Sequence, residues 1–259
     1  MPDHAHHDDH DHGFAHDLPR MVGRRGALAL FGAASLAAAS PAAAACVALP
    51  PETAGPFPAD GTNTSAGQTV NALAQRGVLR RDLRRSFAGR RGRAEGVPLS
   101  LTITLTDTGC RPLAGRALYL WHCDARGRYS LYNVPGVNWL RGLGVADAEG
   151  ALAFTTIIPG CYPGRWPHFH FEVFAGPEAA VTGRNAQLTG QLALPEPVCA
   201  AVYAADPSYA GGTANLSRLS LTRDGSFANN TRAQLAQQTL AMRGSPARGF
   251  TGRVTIPLA

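Results

Sequence analysis

Two histidines stand one residue apart in the second half of the chain, and a tyrosine precedes them. His168 and His170 flank Phe169, and Tyr162 lies six positions before His168. Successive side chains of a β-strand point to opposite faces, so the two imidazoles would share one face about 7 Å apart along the strand. They are then placed to bind one metal ion. The pair alone is a weak signal, because surface and interface histidines show the same spacing.

The segments around these residues have the pattern of short strands. Apolar and hydroxyl residues alternate without a break over residues 99–107, which is typical of a strand with one buried face. Further segments of strand character are residues 116–123, 151–158, 168–174 and 252–258. Residues 232–243 are the one segment with a helical pattern. Short strands joined by turns rich in Gly, Pro and Asp predict an all-β fold, a β-sandwich.

The composition agrees with a folded β protein. The chain has 259 residues, of which 45% are hydrophobic, 29 are Gly and 19 are Pro, so it is too apolar for a disordered chain and rich in turn formers. All of its basic residues are arginines, and many of them lie between Arg76 and Arg93. Such a run is usually a solvated helix or arm, so we expect no nucleic-acid partner.

Residues 1–45 have the pattern of a bacterial twin-arginine export signal. Arg24 and Arg25 precede a Leu/Ala-rich stretch that ends in small residues suited to cleavage. The apolar stretch is too short and too rich in Ala for a membrane span. A His-rich tract comes first, either a metal-binding tract or, as we prefer, a polar leader that is removed with the signal. We therefore predict an exported protein.

We divide the remaining chain into an N-terminal arm, residues 46–95, and a β-sandwich domain, residues 96–259. Five cysteines follow the signal: Cys46, Cys110, Cys123, Cys161 and Cys199. In an oxidising compartment they predict two disulfides and one odd thiol, in a pairing that the sequence does not give. The alternative for Cys46 is lipid modification as the first mature residue, which would be the one route to a membrane.

Several spaced motifs occur in a fixed order around the histidines. They are TAGPF at 53–57, LYLWHCDARGRYS at 118–130, LRG at 140–142, DAEGALAFTTIIPGCY at 147–162 and RWPHFH at 165–170. In these segments the chain resembles the intradiol ring-cleavage dioxygenases, the catechol and protocatechuate dioxygenase group. The matching family patterns are T-x-G-P-Y, W-x-x-D-x-x-G-x-Y, P-G-x-Y and R-x-x-H-x-H. The resemblance is strong over residues 46–174, and residues 191–204 are similar to the secreted, single-chain branch.

The resemblance implies that one non-haem Fe(III) is bound by Tyr129, Tyr162, His168 and His170. Two phenolates are hard anionic donors that favour a ferric ion, whereas zinc or copper sites more often use thiolates or a third imidazole. Four protein donors also leave a coordination position for water or substrate. The family further implies that Tyr162 leaves the metal when substrate binds and that Arg165 faces the bound ring, where a fixed cation suits a developing oxyanion.

Other polar aromatic residues nearby have simpler interpretations. We interpret Tyr119 and Tyr132 as packing or pocket-wall residues and His122 as a strand histidine that binds no metal. Phe57 stands where the family's arm motif often has a tyrosine. This departure concerns the identity of the substrate and leaves the predicted metal ligands unchanged.

The function implied by the resemblance is ring cleavage of a catechol-type substrate between its two hydroxyl-bearing carbons, with O2 and ferric iron, to a muconate-type diacid. The expected partners are a small aromatic diol and O2, and a homodimer is left open. One alternative is a secreted β-sandwich module that binds an aromatic or a metal without turnover. Another is a zinc- or copper-dependent hydrolase or oxidase on a similar sandwich, which metal analysis would separate.

Overall fold

The computed structural model describes residues 46–259, which form mostly β-sheet with a few short helices. The predicted export signal, with Arg24, Arg25 and the His-rich leader, lies outside the described residues. The strands are β1 (Asp60–Ser65), β2 (Gln68–Asn71), β3 (Pro98–Asp107), β4 (Ala117–Trp121), β5 (Arg141–Val145), β6 (Ala151–Ile157), β7 (His168–Phe174), β8 (Leu188–Ala193), β9 (Ala241–Ser245) and β10 (Gly249–Leu258).

Two four-stranded sheets contain all of these strands except β1 and β2, which pair with each other. The first sheet has the order β6-β3-β10-β9, and β3 runs parallel to β10 and antiparallel to β6, with Ile103 opposite Val254 and Leu152. The second sheet has the order β5-β4-β7-β8, and all of its neighbouring strands are antiparallel. Strand β7, which carries both histidines, is therefore an inner strand of the second sheet.

Both sheets contribute side chains to one hydrophobic cluster. Leu101 and Ile103 enter it from the first sheet, and Leu120, Phe169 and Phe171 enter it from the second. Each strand buries alternate residues there, as the period of two requires. The prediction of a mostly β protein is thus confirmed, and the shared cluster supports the predicted β-sandwich.

The five strands that the sequence predicts correspond to β3, β4, β6, β7 and β10. Strand β5, with the sequence RGLGV, and strand β9, with the sequence AMRGS, are not among the predicted strands. Both segments are short and rich in residues of low strand propensity, so their pairing partners and not their own composition make them strands. Strand β8 and the β1–β2 hairpin were missed as well.

The helices are α1 (Pro177–Ala180), α2 (Glu196–Ala205), α3 (Gly212–Leu216) and α4 (Arg232–Gln238), with 3-10 turns at Pro207–Tyr209 and Leu221–Arg223. The predicted helix over residues 232–243 is too long. Thr231 and Gln234 form a capping box at the start of α4, but Met242 pairs with Gly252 of β10, so the chain turns into β9. No helix within residues 46–259 is long and apolar enough to cross a membrane.

Residues 46–95 precede β3 and make backbone hydrogen bonds with both sheets. The amide of Leu49 donates to the carbonyl of Pro257 in β10, and the amide of Arg80 donates to the carbonyl of Leu143 in β5. Leu83 is fully buried in the shared cluster. This segment also passes over one face of the second sheet, where it forms part of the site described below.

The cysteines form one disulfide instead of the two that were predicted. Cys46 and Cys110 are bonded, which joins the start of the described chain to the turn after β3. Cys123, Cys161 and Cys199 are buried free thiols that pack as small apolar side chains, and desolvation raises the pKa of each of them. A thioether-linked lipid on Cys46 would require the sulfur that the disulfide uses.

Candidate metal centre

Strand β7 places both histidines on the face of the second sheet that points away from the shared core. In the antiparallel register His170 lies between Trp121 of β4 and Gln191 of β8, so these three side chains share one face. Trp121 stacks on the imidazole of His170 with ring centroids 5.1 Å apart. The alternation predicted from the spacing is therefore present, with Phe169 on the opposite face.

A tight loop after β4 delivers Tyr129 to the same place. The Asp124 carboxylate accepts hydrogen bonds from the amides of Arg126 and Arg128 and forms an ion pair with the Arg128 guanidinium. Gly127 has a φ of 78°, and a Cβ there would lie 2.7 Å from the Cβ of Tyr162. The absence of a side chain at residue 127 thus allows the two tyrosine-bearing loops to meet.

The four predicted ligands come together as a closed ring of donor atoms. The Oη of Tyr129 lies 3.3 Å from the Oη of Tyr162 and 3.2 Å from the Nε2 of His170. The Nε2 of His168 completes the ring, 3.3 Å from the Oη of Tyr162 and 3.0 Å from the Nε2 of His170. These residues come from one strand and two separate loops, so only the tertiary fold could bring their donor atoms this close.

The spacing of these donors fits a single metal ion. Metal–ligand bonds of about 2.0–2.1 Å at angles between 90° and tetrahedral put neighbouring donors about 2.9–3.4 Å apart. Within residues 46–259 no group of three or more His, Cys, Asp or Glu side chains could hold a metal ion, so a metal here would need the tyrosines. His168 Nδ1 faces the backbone carbonyl of Trp166, which favours the tautomer with a free Nε2 lone pair.

Burial keeps the four side chains uncharged in the absence of a cation. Desolvation raises the pKa of Tyr162 to about 12 and raises the pKa of Tyr129 well above its usual range. Desolvation, helped by the positive charge of Arg165, lowers the pKa of His168 to about 4 and lowers the pKa of His170 well below its usual range. A cation bound here would have to displace the phenol protons, so its binding would release protons.

A cavity of about 240 Å³ opens beside the donor ring. It is lined by Gly55, Pro56, Phe57, Tyr129, Tyr162, Arg165 and His170. An apolar cavity of about 150 Å³ is enough for benzene, so this one has room for a single substituted ring. A larger groove of about 490 Å³ runs along β5 and β6, but it includes none of the four donors.

The segment around residue 57 forms one wall of the cavity. Gly55, with a φ of 68°, passes so close to the His170 ring that a Cβ there would lie 3.3 Å from its Cε1. Phe57 packs on Tyr129 and Tyr132 with centroid distances of 5.1 and 4.9 Å. The fully buried Arg141 holds this wall, because its guanidinium donates to the Phe57 carbonyl. Arg141 belongs to the LRG motif, which by itself does not predict this contact.

Arg165 also lines the cavity, and residues that the sequence did not predict hold it. Its Nε and Nη2 donate to the two carboxylate oxygens of Asp224 at 3.0 and 3.3 Å. Nη2 also donates to Gln191 Oε1 and to Ser226 Oγ. Gln191 begins the similarity segment at residues 191–204, but nothing in the sequence around Asp224 and Ser226 links them to Arg165, which lies 59 and 61 positions away.

The three residues predicted to have simpler roles make the corresponding contacts. His122 lies on the core side, with its Nε2 2.6 Å from Thr156 Oγ1 and its ring against Phe169. The hydroxyl of the buried Tyr119 donates to the Pro58 carbonyl. Tyr132 supports Phe57 from behind the cavity wall. None of the three contributes an atom to the donor ring.

Comparisons of the sequence with known proteins agree with the motifs. A sequence model of the dioxygenase family matches residues 72–196. The protocatechuate 3,4-dioxygenase beta chain of Burkholderia cepacia is 33% identical over 111 residues, which cover 38% of this chain and 47% of that protein. The catechol 1,2-dioxygenase of Pseudomonas sp. strain EST1001 is 28% identical over 166 residues, covering 62% and 51% of the two chains. The chain thus spans about half the length of these curated relatives.

The fold has solved counterparts. An intradiol ring-cleavage dioxygenase from Tetranychus urticae superimposes with a TM-score of 0.59 at 22% identity, over 82% of this chain and 94% of that one. At this identity the likeness concerns the fold alone. Taken together, the family match and the curated relatives indicate the intradiol ring-cleavage dioxygenases, a family of oxidoreductases, and the shared fold agrees with this family. The resemblance drawn from the motifs is thereby confirmed.

Proposed function

We propose that this protein is a non-haem Fe(III)-dependent intradiol dioxygenase that cleaves a catechol-type ring with O2. The observation that carries the proposal is the closed ring of four donor atoms, with neighbouring separations of 3.0–3.3 Å, at the wall of a ring-sized cavity. In the proposed reaction one molecule of catechol and one of O2 give one cis,cis-muconate-type diacid. The bond between the two hydroxyl-bearing carbons breaks, and both oxygen atoms enter the product.

Tyr129, Tyr162, His168 and His170 would hold the iron. Two phenolates and two neutral imidazoles are hard donors whose two negative charges favour the ferric state. Bound ferric iron would supply a Lewis acid that holds the diol of the substrate and makes its ring reactive toward O2. The supporting observation from this chain is its donor set, since the histidines alone could not complete such a site.

Tyr162 is the residue suited to accept a substrate proton. Both tyrosines line the cavity, but Tyr162 is partly exposed, whereas Tyr129 is almost fully buried. Burial raises the pKa of Tyr162 when no cation is bound, so a Tyr162 phenolate released from the iron would be basic enough to take a proton from a catechol hydroxyl in the cavity. Tyr129, which packs on Phe57, is suited to remain in place.

Arg165 is suited to stabilise the negative charge that develops on the substrate. It lines the same cavity as Tyr162, and its Nη1 makes no hydrogen bond with the described residues, so one edge of the guanidinium is available. Pro56 and Phe57 contribute apolar surface to the same cavity. This arrangement supports a substrate that presents a flat ring to Phe57 and its oxygen-bearing edge to the donors and Arg165.

The purified protein tests the proposal directly. Phenolate bound to Fe(III) absorbs in the visible, so we expect a red-brown protein with one iron per chain, and a shift of the band to longer wavelength when catechol is added under nitrogen. In air, one O2 should be consumed per catechol, with a muconate-type diacid as product. A colourless protein with one zinc per chain, or a coloured protein that consumes no O2 with any catechol, would contradict the proposal.

We also propose export through the twin-arginine pathway, with the protein folded beforehand. The supporting observations are the paired Arg24 and Arg25 and the Cys46–Cys110 disulfide, which is typical of oxidising compartments. Changing both arginines to Lys should keep the protein in the cytoplasm, whereas the nearby Arg20→Lys serves as a control and should be exported normally. Full export of the double variant would contradict this targeting.

A further inference from the structure

Asp224 makes the most contacts of any residue that holds Arg165. Its side chain is fully buried, whereas that of Arg165 is 21% exposed at the cavity. One carboxylate oxygen accepts from Arg165 Nε and from the Trp166 amide, and the other accepts from Arg165 Nη2 and from the Ser226 amide. A buried carboxylate that accepts four hydrogen bonds has one fixed orientation, so it can hold the guanidinium rigidly in place.

Gln191 and Ser226 complete the support. Nη2 of Arg165 donates to Gln191 Oε1 and Ser226 Oγ, and the Nε2 of Gln191 donates to the same Ser226 oxygen. Two of the three guanidinium nitrogens are therefore fully used by buried partners, and only Nη1 remains for a ligand. These hydrogen bonds fix the plane of the guanidinium and therefore the position of Nη1.

We propose that Asp224 is a positioning residue that acts through Arg165 and sets where its free edge stands in the cavity. This inference rests on the proposed function for its kinetic test. Asp224 and Ser226 lie beyond residues 72–196, the part of the chain that matches the dioxygenase family model, so the match itself does not supply them. The segment that follows α3 thereby contributes to the site, although it contains no metal ligand.

A double-mutant cycle separates positioning from a general structural role. Asp224→Asn keeps the size of the side chain but removes its charge and one acceptor. We expect kcat/KM for catechol to fall about 10²-fold, because a misplaced catalytic group loses that much. In the Arg165→Ala background the same change should cost less than about 3-fold, since a residue that acts through Arg165 has nothing left to position.

The kinetic constants give a second criterion. A donor that acts in the transition state lowers kcat and kcat/KM together and leaves KM nearly unchanged. Asp224→Asn should show this pattern, with full iron content and an unshifted visible band. If Asp224→Asn lowered kcat/KM equally in the unmodified protein and in Arg165→Ala, the proposal would be overturned. A raised KM with unchanged kcat would overturn it as well.

The matched control is Asp107→Asn. Asp107 also pairs with an arginine and accepts a backbone amide, both from Arg111, but it lies at the end of β3 and lines no part of the cavity. We expect unchanged kinetic constants. A milder second variant, Ser226→Ala, removes one acceptor from Nη2 without touching the carboxylate, and should lower kcat/KM by less than Asp224→Asn.

A crystal structure of Asp224→Asn tests the same proposal without any turnover. The guanidinium of Arg165 should shift or change rotamer, while His168, His170 and the two tyrosines stay in place. An unmoved Arg165 would overturn the positioning role whatever the kinetics show. If instead the unmodified protein consumes no O2 with any catechol, the proposed function fails, and this structural test of Asp224 still stands.

Discussion

Both faces of the second sheet are buried, but the side chains on one face are apolar and several of those on the other are polar. On the core face Phe169 and Phe171 pack into the cluster shared with the first sheet. On the other face lie His168 and His170, of which His170 is close to Gly55 of the N-terminal segment, and all seven residues of β7 are buried. Burial therefore does not distinguish the site. What distinguishes it is a set of polar atoms that have one another as neighbours instead of ordinary hydrogen-bond partners.

The histidines of the two faces show this difference most clearly. On the core side His122 uses both ring nitrogens, with Thr156 Oγ1 at Nε2 and the Cys123 carbonyl at Nδ1. On the site side, the Nε2 atoms of His168 and His170 lie 3.0 Å from each other. Two neutral imidazoles facing in this way satisfy each other poorly, whereas a metal ion would satisfy both. Changes on the site face should affect metal and turnover, and changes on the core face should affect stability.

The largest effect is expected from removing a histidine of the site face. His168→Ala or His170→Ala takes one ligand from a set of four, so the purified variant should lose its iron, its visible colour and all measurable turnover. Metal analysis and the visible spectrum check this result. A variant that keeps one iron per chain and its colour would show that the metal is held elsewhere.

Removing an aromatic ring from the core face should affect stability instead. Phe169→Ala leaves a cavity in the shared cluster and should lower the free energy of unfolding by about 3–5 kcal/mol. The fraction that folds should still bind iron and show the same visible band. Denaturant unfolding measures the free energy of unfolding, and metal analysis of the folded protein measures iron per chain. A loss of iron without a loss of stability would break the distinction between the two faces.

Removing the cation of the cavity should affect turnover alone. Arg165→Ala should lower kcat/KM by the equivalent of about 2–4 kcal/mol, as expected for a fixed donor to a developing oxyanion. Iron content and colour should remain, because Arg165 contributes no donor atom. Steady-state O2 consumption is the measurement, and unchanged kinetic constants would remove Arg165 from the mechanism.

The smallest effect is expected from the histidine of the core face. His122→Gln should keep colour and activity and lose about 1 kcal/mol of stability through an imperfect replacement of the hydrogen bond to Thr156. If metal or activity were lost as well, His122 would belong to the site after all.

The same variant should change how stability depends on pH. Desolvation lowers the pKa of His122 to about 3, so the folded state keeps it neutral while the unfolded state takes up a proton below about pH 6.5. The stability that neutral His122 provides is therefore lost as the pH falls from about 6.5 towards 3. We expect the unmodified protein to lose stability more steeply over this window than His122→Gln. Parallel curves from denaturant unfolding would contradict the prediction.

Local patterns in the sequence predicted five of the ten strands, and the family motifs supplied the candidate site residues. The alternation HFHFEVF established which residues of β7 share a face, because the period of two is a property of the strand itself. The motifs around Tyr129, Tyr162 and Arg165 identified the family. The strands β5 and β9 and the end of α4 could not be found in this way, because their conformation depends on strand partners far away in the chain.

The sequence by itself determined the strand periodicity, the mostly β class and the residue types of the proposed ferric site. Only the tertiary structure decided that the four donor atoms meet within 3.3 Å, that Cys46 bonds to Cys110 and that Asp224 holds Arg165. The Tyr129–Tyr162 contact, the Arg165–Asp224 ion pair and the Cys46–Cys110 disulfide join residues 33, 59 and 64 positions apart. Which of many such pairs form depends on how the sheets and loops pack together, and no local spacing contains that information.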